Sequence, residues 1–366
     1  MKRGGTLSWA TLAFLGCHSA HASPLSDLAG SLQPGQWAQL ATSNIDPTLT
    51  GTQGASGFTF GYADKGVWDP ISRQFFFIGS DHSPVPAIPR FVSFTESTNR
   101  WQILPTPAWF PSNLTGTAMH GYQHTTLDVA GRALYHRPYG QTVIHALNLT
   151  TGAWSDLPAN GAVGYNSCCV GVEYFPERGS ITWASVENGN LGGLTEFRNG
   201  NWGRVGLANI AMGALHNFAL YSPVHKVVVF GGGNGSSDVY RLSASGTVDT
   251  MGAAPVSLAV QTSVQTVDPV SGNLIILDDS QHLRSYNPVT DTWVLHTGTP
   301  SIFTGPNNSP AVHGIVAAPV SNHGVVMFVK CAQSGTTCTV WLYKHAAGTG
   351  ADLMAPSAPV QLEVHE

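Results

Sequence analysis

A unit of about fifty residues recurs six times along this chain, and that self-similarity decides the fold before any single residue does. The clearest copy runs from Met119 to Pro158. Its pattern predicts four short strands, Tyr122–Asp128, Ala133–Tyr139, Val143–Asn148 and Ala153–Leu157. Turn residues part them at Ala130-Gly131, Gly140-Gln141 and Thr150-Thr151-Gly152. Each run is too short for a stable helix and carries the β-branched and aromatic residues that suit a pleated surface. The other five copies keep the anchors in register. A turn follows the first strand at Asp69-Pro70, Asp128, Phe175-Pro176, Ser222-Pro223, Asp268-Pro269 and Ala318-Pro319. An apolar second strand comes next each time, as in Phe75–Ile78 or Val227–Phe230. The fourth strand carries Trp101, Trp154, Trp202 or Trp293; the fourth unit has Asp249-Thr250 instead.

The sixth unit lacks its last strand. Gly35-Gln36-Trp37-Ala38-Gln39-Leu40 reads as a fourth strand with no partners before it. A ring in which this N-terminal strand completes the last unit leaves no exposed sheet edge. The expected fold is therefore an all-β propeller of six four-stranded blades over residues 35–345, with seven blades as the alternative count. The proline turns, the Val227–Gly232 run ending in a double glycine, the Tyr286-Asn-Pro-Val-Thr-Asp-Thr-Trp293 run and the tryptophans resemble the kelch-type propeller. The resemblance spans about Gly35 to His345. Kelch repeats carry a double glycine in every blade, and here only the fourth unit does, so the chain reads as a divergent member.

Composition narrows the partners. Charged residues are only 10 % of the chain and the net charge is −5, which gives no footing for nucleic acid or an anionic membrane. Lys2 and Arg3, the apolar Leu7–Leu15 run and Ala20-His21-Ala22 predict a signal peptide over residues 1–22, with cleavage before Ser23. Leu15-Gly16-Cys17 is a lipoprotein-type alternative. A secreted or periplasmic location follows, with no membrane span and a monomer expected. Export permits disulfides. Cys331 and Cys338 flank a predicted hairpin tip and suit a bridge across it. Cys168 and Cys169 are adjacent, and form either a vicinal disulfide or two small buried thiols. Residues 346–366 read as a flexible tail, and Ser83–Pro89 and Ala108–Asn113 as loops that roof one face or decorate the surface.

The first strand of each blade lines the axis of a propeller, and alternate residues on a strand share a face. Counting back from each turn, Lys65 and His124 lie four residues before it, Cys169 and His216 six, and His120 eight. His313 and Gln265 lie one step out of that parity. The count predicts a cluster of basic and thiol side chains at one mouth of the channel. His136 and His145 fall on the second and third strands, farther from the axis.

Histidines in a funnel suit acid–base chemistry, metal binding or an anionic ligand. The histidine-rich mouth is similar in type to propeller lyases that cut oligogalacturonate or ulvan. By that likeness the ligand is a uronate-containing polysaccharide or oligosaccharide, cleaved by β-elimination. His124 is then the expected base with His120 beside it, and Tyr122 or Tyr221 the acid. Lys65 or Arg137 meets the carboxylate, and Trp109 and Gln265 contact the glycan. His216 and His313 hold a divalent metal such as Zn, Mn or Ca. The alternative is a non-catalytic kelch-like module that binds a glycan or protein. A third expectation, a copper or quinone oxidoreductase, rests on the inward cysteines.

Overall fold

The computed structural model describes residues 22–50, 59–80, 89–110, 120–162, 168–188, 191–260, 262–298, 312, 314–331 and 337–348. Six four-stranded antiparallel sheets are arranged as a β-propeller. The innermost strands are Val67–Asp69, Thr125–Asp128, Gly171–Phe175, Asn217–Ser222, Ser263–Val267 and Ile315–Val320, one for each of the first to sixth blades. Blade count and blade order are as the repeat predicts. The ring closes as expected: Trp37–Leu40 pairs antiparallel with Cys338–Tyr343, Trp37 opposite Tyr343 and Leu40 opposite Val340. The predicted signal segment and most of the tail lie outside the described residues.

The repeat's turn works through its acid. Asp69 accepts from the backbone N–H of Ile71 and Ser72, both at 3.1 Å. Asp128 accepts from Gly131 N–H at 2.8 Å, and Asp268 from Ser271 N–H at 2.7 Å. A short polar side chain thus stands in for backbone partners at the bend. The last turn residue is left-handed in every blade: Arg73, Arg132, Gly179, Lys226, Gly272 and Gly324. The same acid also ties blades together, because Arg132 of the second blade clamps Asp69 of the first with two bonds of 2.6 and 2.7 Å.

Aromatic side chains fill the wedges. Trp101 is fully buried against Phe75 and Phe94, Trp202 packs edge-on to Trp183, and Trp293 stacks on Tyr286 at 4.4 Å. The inner strands approach so closely that they bond across blades, as in Val172 N–H to Gln123 O at 3.0 Å and Asn217 N–H to Cys169 O at 3.0 Å. A Cβ on Gly171 would sit 2.3 Å from the Phe218 backbone, so only glycine fits there. Cys331 and Cys338 are joined as expected, with an S–S distance of 2.02 Å. A capped helix, Pro24–Ser31, precedes the ring and buries Leu25 and Ala29, an element the repeat pattern does not announce.

Candidate functional site

Tight inner strands leave little room on the axis, and its middle is plugged by polar side chains. Gln123 donates to Asp64 at 3.0 Å and to Gln265 at 3.1 Å, and its carbonyl accepts from Ala219 N–H. Gln265 in turn donates to Ser263. Burial pushes the Asp64 carboxyl up to about 7, against the pull of Gln123 and Lys65. Gln265 is therefore axial, although the count set it one step out of the inward parity, and it is spent on the plug. Gln123, and not His124, faces the axis of the second blade.

The reason for that correction is local. Tyr122 has φ 37°, and His124 N–H turns back to Gly121 O at 3.0 Å, so the strand begins only at Thr125. Alternation cannot be counted through a left-handed residue. His124 points instead into the wedge between the second and third blades. Its Nε2 accepts from Arg137 at 3.3 Å and from Val170 N–H at 3.4 Å. Burial first, then Arg137, His136 and His120, hold its pKa well below the usual histidine value. It is neutral, fully buried and has its basic nitrogen occupied, which removes it as the proton acceptor.

Four other expected residues are also placed elsewhere. Lys65 runs down the channel to Glu173 at 2.9 Å and to the carbonyls of Val172 and Ala219. Tyr221 lies at that same far end and donates to Glu177 at 2.9 Å. Arg137 is buried behind His124, bonded to Gln141 O and Cys168 O at 2.7 Å each, with its guanidinium over Trp183. Burial lowers its pKa to about 9, so it stays a cation at neutral pH. Trp109 is not an exposed glycan platform. It stacks on His145 at 4.3 Å and packs against Trp154 between the first two blades. His136 and His145 stay off the axis as expected. His145 pairs with Asp156, and burial drives His136 down to about 3. His313 lies outside the described residues.

What the fold does bring together sits at the mouth above the plug, at the N-terminal ends of the inner strands. His120 lies 5.1 Å from both Tyr62 and Tyr122, ring centre to ring centre. His216 lies 5.5 Å from Tyr122 and 5.9 Å from Tyr62. Tyr139 closes the set, 5.7 Å from His120 and 37 % exposed, whereas His120, Tyr122 and His216 are themselves buried at 1, 3 and 8 %. Cys168 and Cys169 form a vicinal disulfide beside it, with Cys168 Sγ 3.8 Å from the Tyr122 hydroxyl. Tyr62, Tyr122, Leu215 and His216 all have positive φ, a conformation that costs a non-glycine residue about 1 kcal/mol or more. Strain of this kind gathers at functional sites.

Two protonation states follow from the contacts. His216 Nδ1 lies 2.7 Å from Asn234 Oδ1, which can only accept, so Nδ1 carries the proton and Nε2 is the basic nitrogen. Burial first, then Tyr139 and Tyr62, raise the Tyr122 phenol far above its ordinary value, so it stays protonated at neutral pH. Sequence reasoning missed Tyr62, Tyr139 and Asn234. A signal for Tyr62 is present: Gly61-Tyr62 and Gly121-Tyr122 stand before adjacent inner strands, and Tyr122 N–H bonds Tyr62 O at 2.9 Å. Among the described residues no three His, Cys, Asp or Glu side chains gather as a metal site. A metal at this mouth would rest on His120, His216 and tyrosine oxygens.

No family model and no curated protein matches the chain. A structural genomics protein of unknown function from Bacteroides thetaiotaomicron VPI-5482 is similar with a TM-score of 0.50 at 12 % identity, over 87 % of this chain and 73 % of that one. A nidogen/laminin complex gives a TM-score of 0.45 at 13 % identity, over 64 % and 79 % of the two chains. The first likeness extends to the fold alone and the second is too low to carry an argument. The chain is a six-bladed β-propeller with an aromatic and histidine-lined mouth.

Proposed function

We propose that this chain is an exported, kelch-like, carbohydrate-active propeller whose N-terminal mouth takes a uronate-containing oligosaccharide and cleaves it by β-elimination. The observation that carries the reading is the convergence of His120, His216, Tyr62 and Tyr122 on one mouth. Tyrosine and histidine faces pack against sugar C–H surfaces, and their polar edges bond hydroxyls. In the reaction, His216 Nε2 takes the proton from the carbon bearing the carboxylate. The electron pair forms a carbon–carbon double bond as the glycosidic C–O bond breaks. The departing oxygen takes a proton from the Tyr122 phenol. The base role expected of His124 passes to His216, and of the two expected acids Tyr122 is kept and Tyr221 set aside. Arg137, buried behind Tyr122, acts on the substrate carboxylate through its field and not by contact.

A divalent metal on His120 and the tyrosine oxygens would supply Lewis-acid neutralisation of that carboxylate; His216 cannot share it while acting as base, because its Nδ1 is held by Asn234 and Nε2 is its one lone pair. A second reading, glycan binding without cleavage, is favoured by one observation: Lys65, a predicted neutralising cation, is locked onto Glu173. Incubation with pectic, ulvan and alginate polysaccharides separates the two. Rising ultraviolet absorbance from an unsaturated product is the expected result. Saturable binding with no absorbance on any of them leaves only the binding module, and neither signal removes both.

A further inference from the structure

Glu96 opens the turn after Arg90–Thr95 in the first blade and is only 2 % exposed. Its neighbours come from three parts of the chain. Ser23 Oγ donates to Glu96 Oε1 at 2.6 Å. His323 Nε2, on the turn after the inner strand of the sixth blade, lies 2.9 Å from the same oxygen, and Arg73 lies 3.5 Å from it. The other oxygen, Oε2, is buried and has no hydrogen-bond partner among the described residues. A buried carboxylate oxygen left unmatched is costly, so a donor is missing from this cluster.

The chain can supply that donor from its own new end. Ser23 is already held in place: it is buried, its hydroxyl accepts from Ser26 N–H at 3.0 Å, and it caps the helix Pro24–Ser31. Its nitrogen donates to Ser26 Oγ at 2.7 Å, while Ala22 before it is exposed. As an amide, that nitrogen has one hydrogen and spends it on Ser26. In hydrolysis, water adds to the Ala22 carbonyl carbon and the C–N bond to Ser23 breaks. Ala22 leaves as a carboxylate, and Ser23 keeps three hydrogens as an ammonium. Two of them are then unspent, on the residue whose hydroxyl already touches Glu96. A cation at a helix N-terminus is disfavoured by the helix dipole, and the buried carboxylate offsets that.

We propose that cleavage before Ser23 turns its nitrogen into an ammonium that pairs with Glu96 and pins the mature N-terminus at the seam between the sixth and first blades. This rests on the exported reading, and the test separates the two. Intact mass of the protein exported by an expression host should give Ser23 as the first residue. The α-amine is then titrated through the pH dependence of its acetylation by trace acetic anhydride, read on the N-terminal peptide by mass spectrometry. The expected midpoint is about 9, where an unpaired α-amine titrates at about 7.7–8.0. Glu96→Gln returns it to the ordinary range. So does a chain that keeps Ala22 as its first residue, which retains Glu96 and covers the case in which Glu96→Gln does not fold. A Ser23 amine that titrates in the ordinary range, or equally in all three proteins, overturns the pairing. A mature chain that begins at another residue overturns the cleavage that creates it.

Discussion

The two mouths of the axial channel are made by opposite ends of the same six strands, yet they differ in every respect that matters for chemistry. At the C-terminal end the repeat is obeyed. Each blade bends through the same turn, and polar groups such as Lys65 and Glu173 satisfy one another. At the N-terminal end the repeat breaks. Tyr62, Tyr122, Leu215 and His216 leave strand geometry, and histidine and tyrosine edges collect there. The plug of Asp64, Gln123 and Gln265 separates the two. The contrast teaches that departures from a repeat, more than the repeat itself, mark where a candidate site is to be sought.

The comparison breaks most sharply at His216. His216→Ala should lower the rate of product formation by about 10²–10⁴-fold, the range of a lost general base, while Tyr221→Phe at the other mouth leaves the rate unchanged. Initial rates on the preferred polysaccharide decide this, with circular dichroism confirming the fold. Next in size is Lys65→Met. It removes the cation facing the half-buried Glu173 carboxylate, which keeps its bonds from Thr126 and two backbone N–H groups, and should cost about 1–3 kcal/mol in urea unfolding, with glycan binding at the N-terminal mouth retained.

The plug and the wedge beside the mouth predict opposite pH effects. The folded Asp64 carboxyl titrates at about 7 against an ordinary 3.8, so the native state keeps a proton that the unfolded chain has released. Stability contributed by Asp64 therefore falls as pH rises from about 4 to 7, by up to about 4 kcal/mol. His136 is depressed from 6.5 to about 3, so the unfolded chain gains its proton first. Its contribution is lost as pH falls below 6.5. The two oppose each other between pH 4 and 6.5. Asp64→Asn should thus raise stability at pH 8 and steepen the loss on acidification, read from urea midpoints across pH 4–8. The smallest effect is on stability in Tyr221→Phe, where loss of the partly exposed bond to Glu177 costs about 0.5–1 kcal/mol.

Much of the fold could be read from residues alone, because the turn acids, prolines and tryptophans recur with fixed physical jobs. The closing strand at Trp37 and the Cys331–Cys338 bridge were legible for the same reason. The site was legible in part. His120, Tyr122 and His216 were singled out and lie together, whereas His124 is turned to Arg137, Lys65 to Glu173 and Trp109 to His145. Counting alternate residues presumes extended backbone, and the left-handed Tyr122 cancels that count two residues before His124. Trp109 was misread because its partners, His145 and Trp154, come from another blade's strands, and packing across a wedge leaves no local pattern. Asn234 was invisible because it reaches His216 from a glycine-rich loop eighteen residues on.

The account stands most directly on which mouth receives the ligand. Diethylpyrocarbonate modification, mapped by mass spectrometry with and without a uronate oligosaccharide, addresses that mouth by its histidines. The prediction is that the oligosaccharide protects His216, 8 % exposed, and leaves the exposed His282, on an outer turn, as reactive as before. Equal modification of His216 with and without every oligosaccharide that binds would contradict it, and would move the site away from the N-terminal mouth.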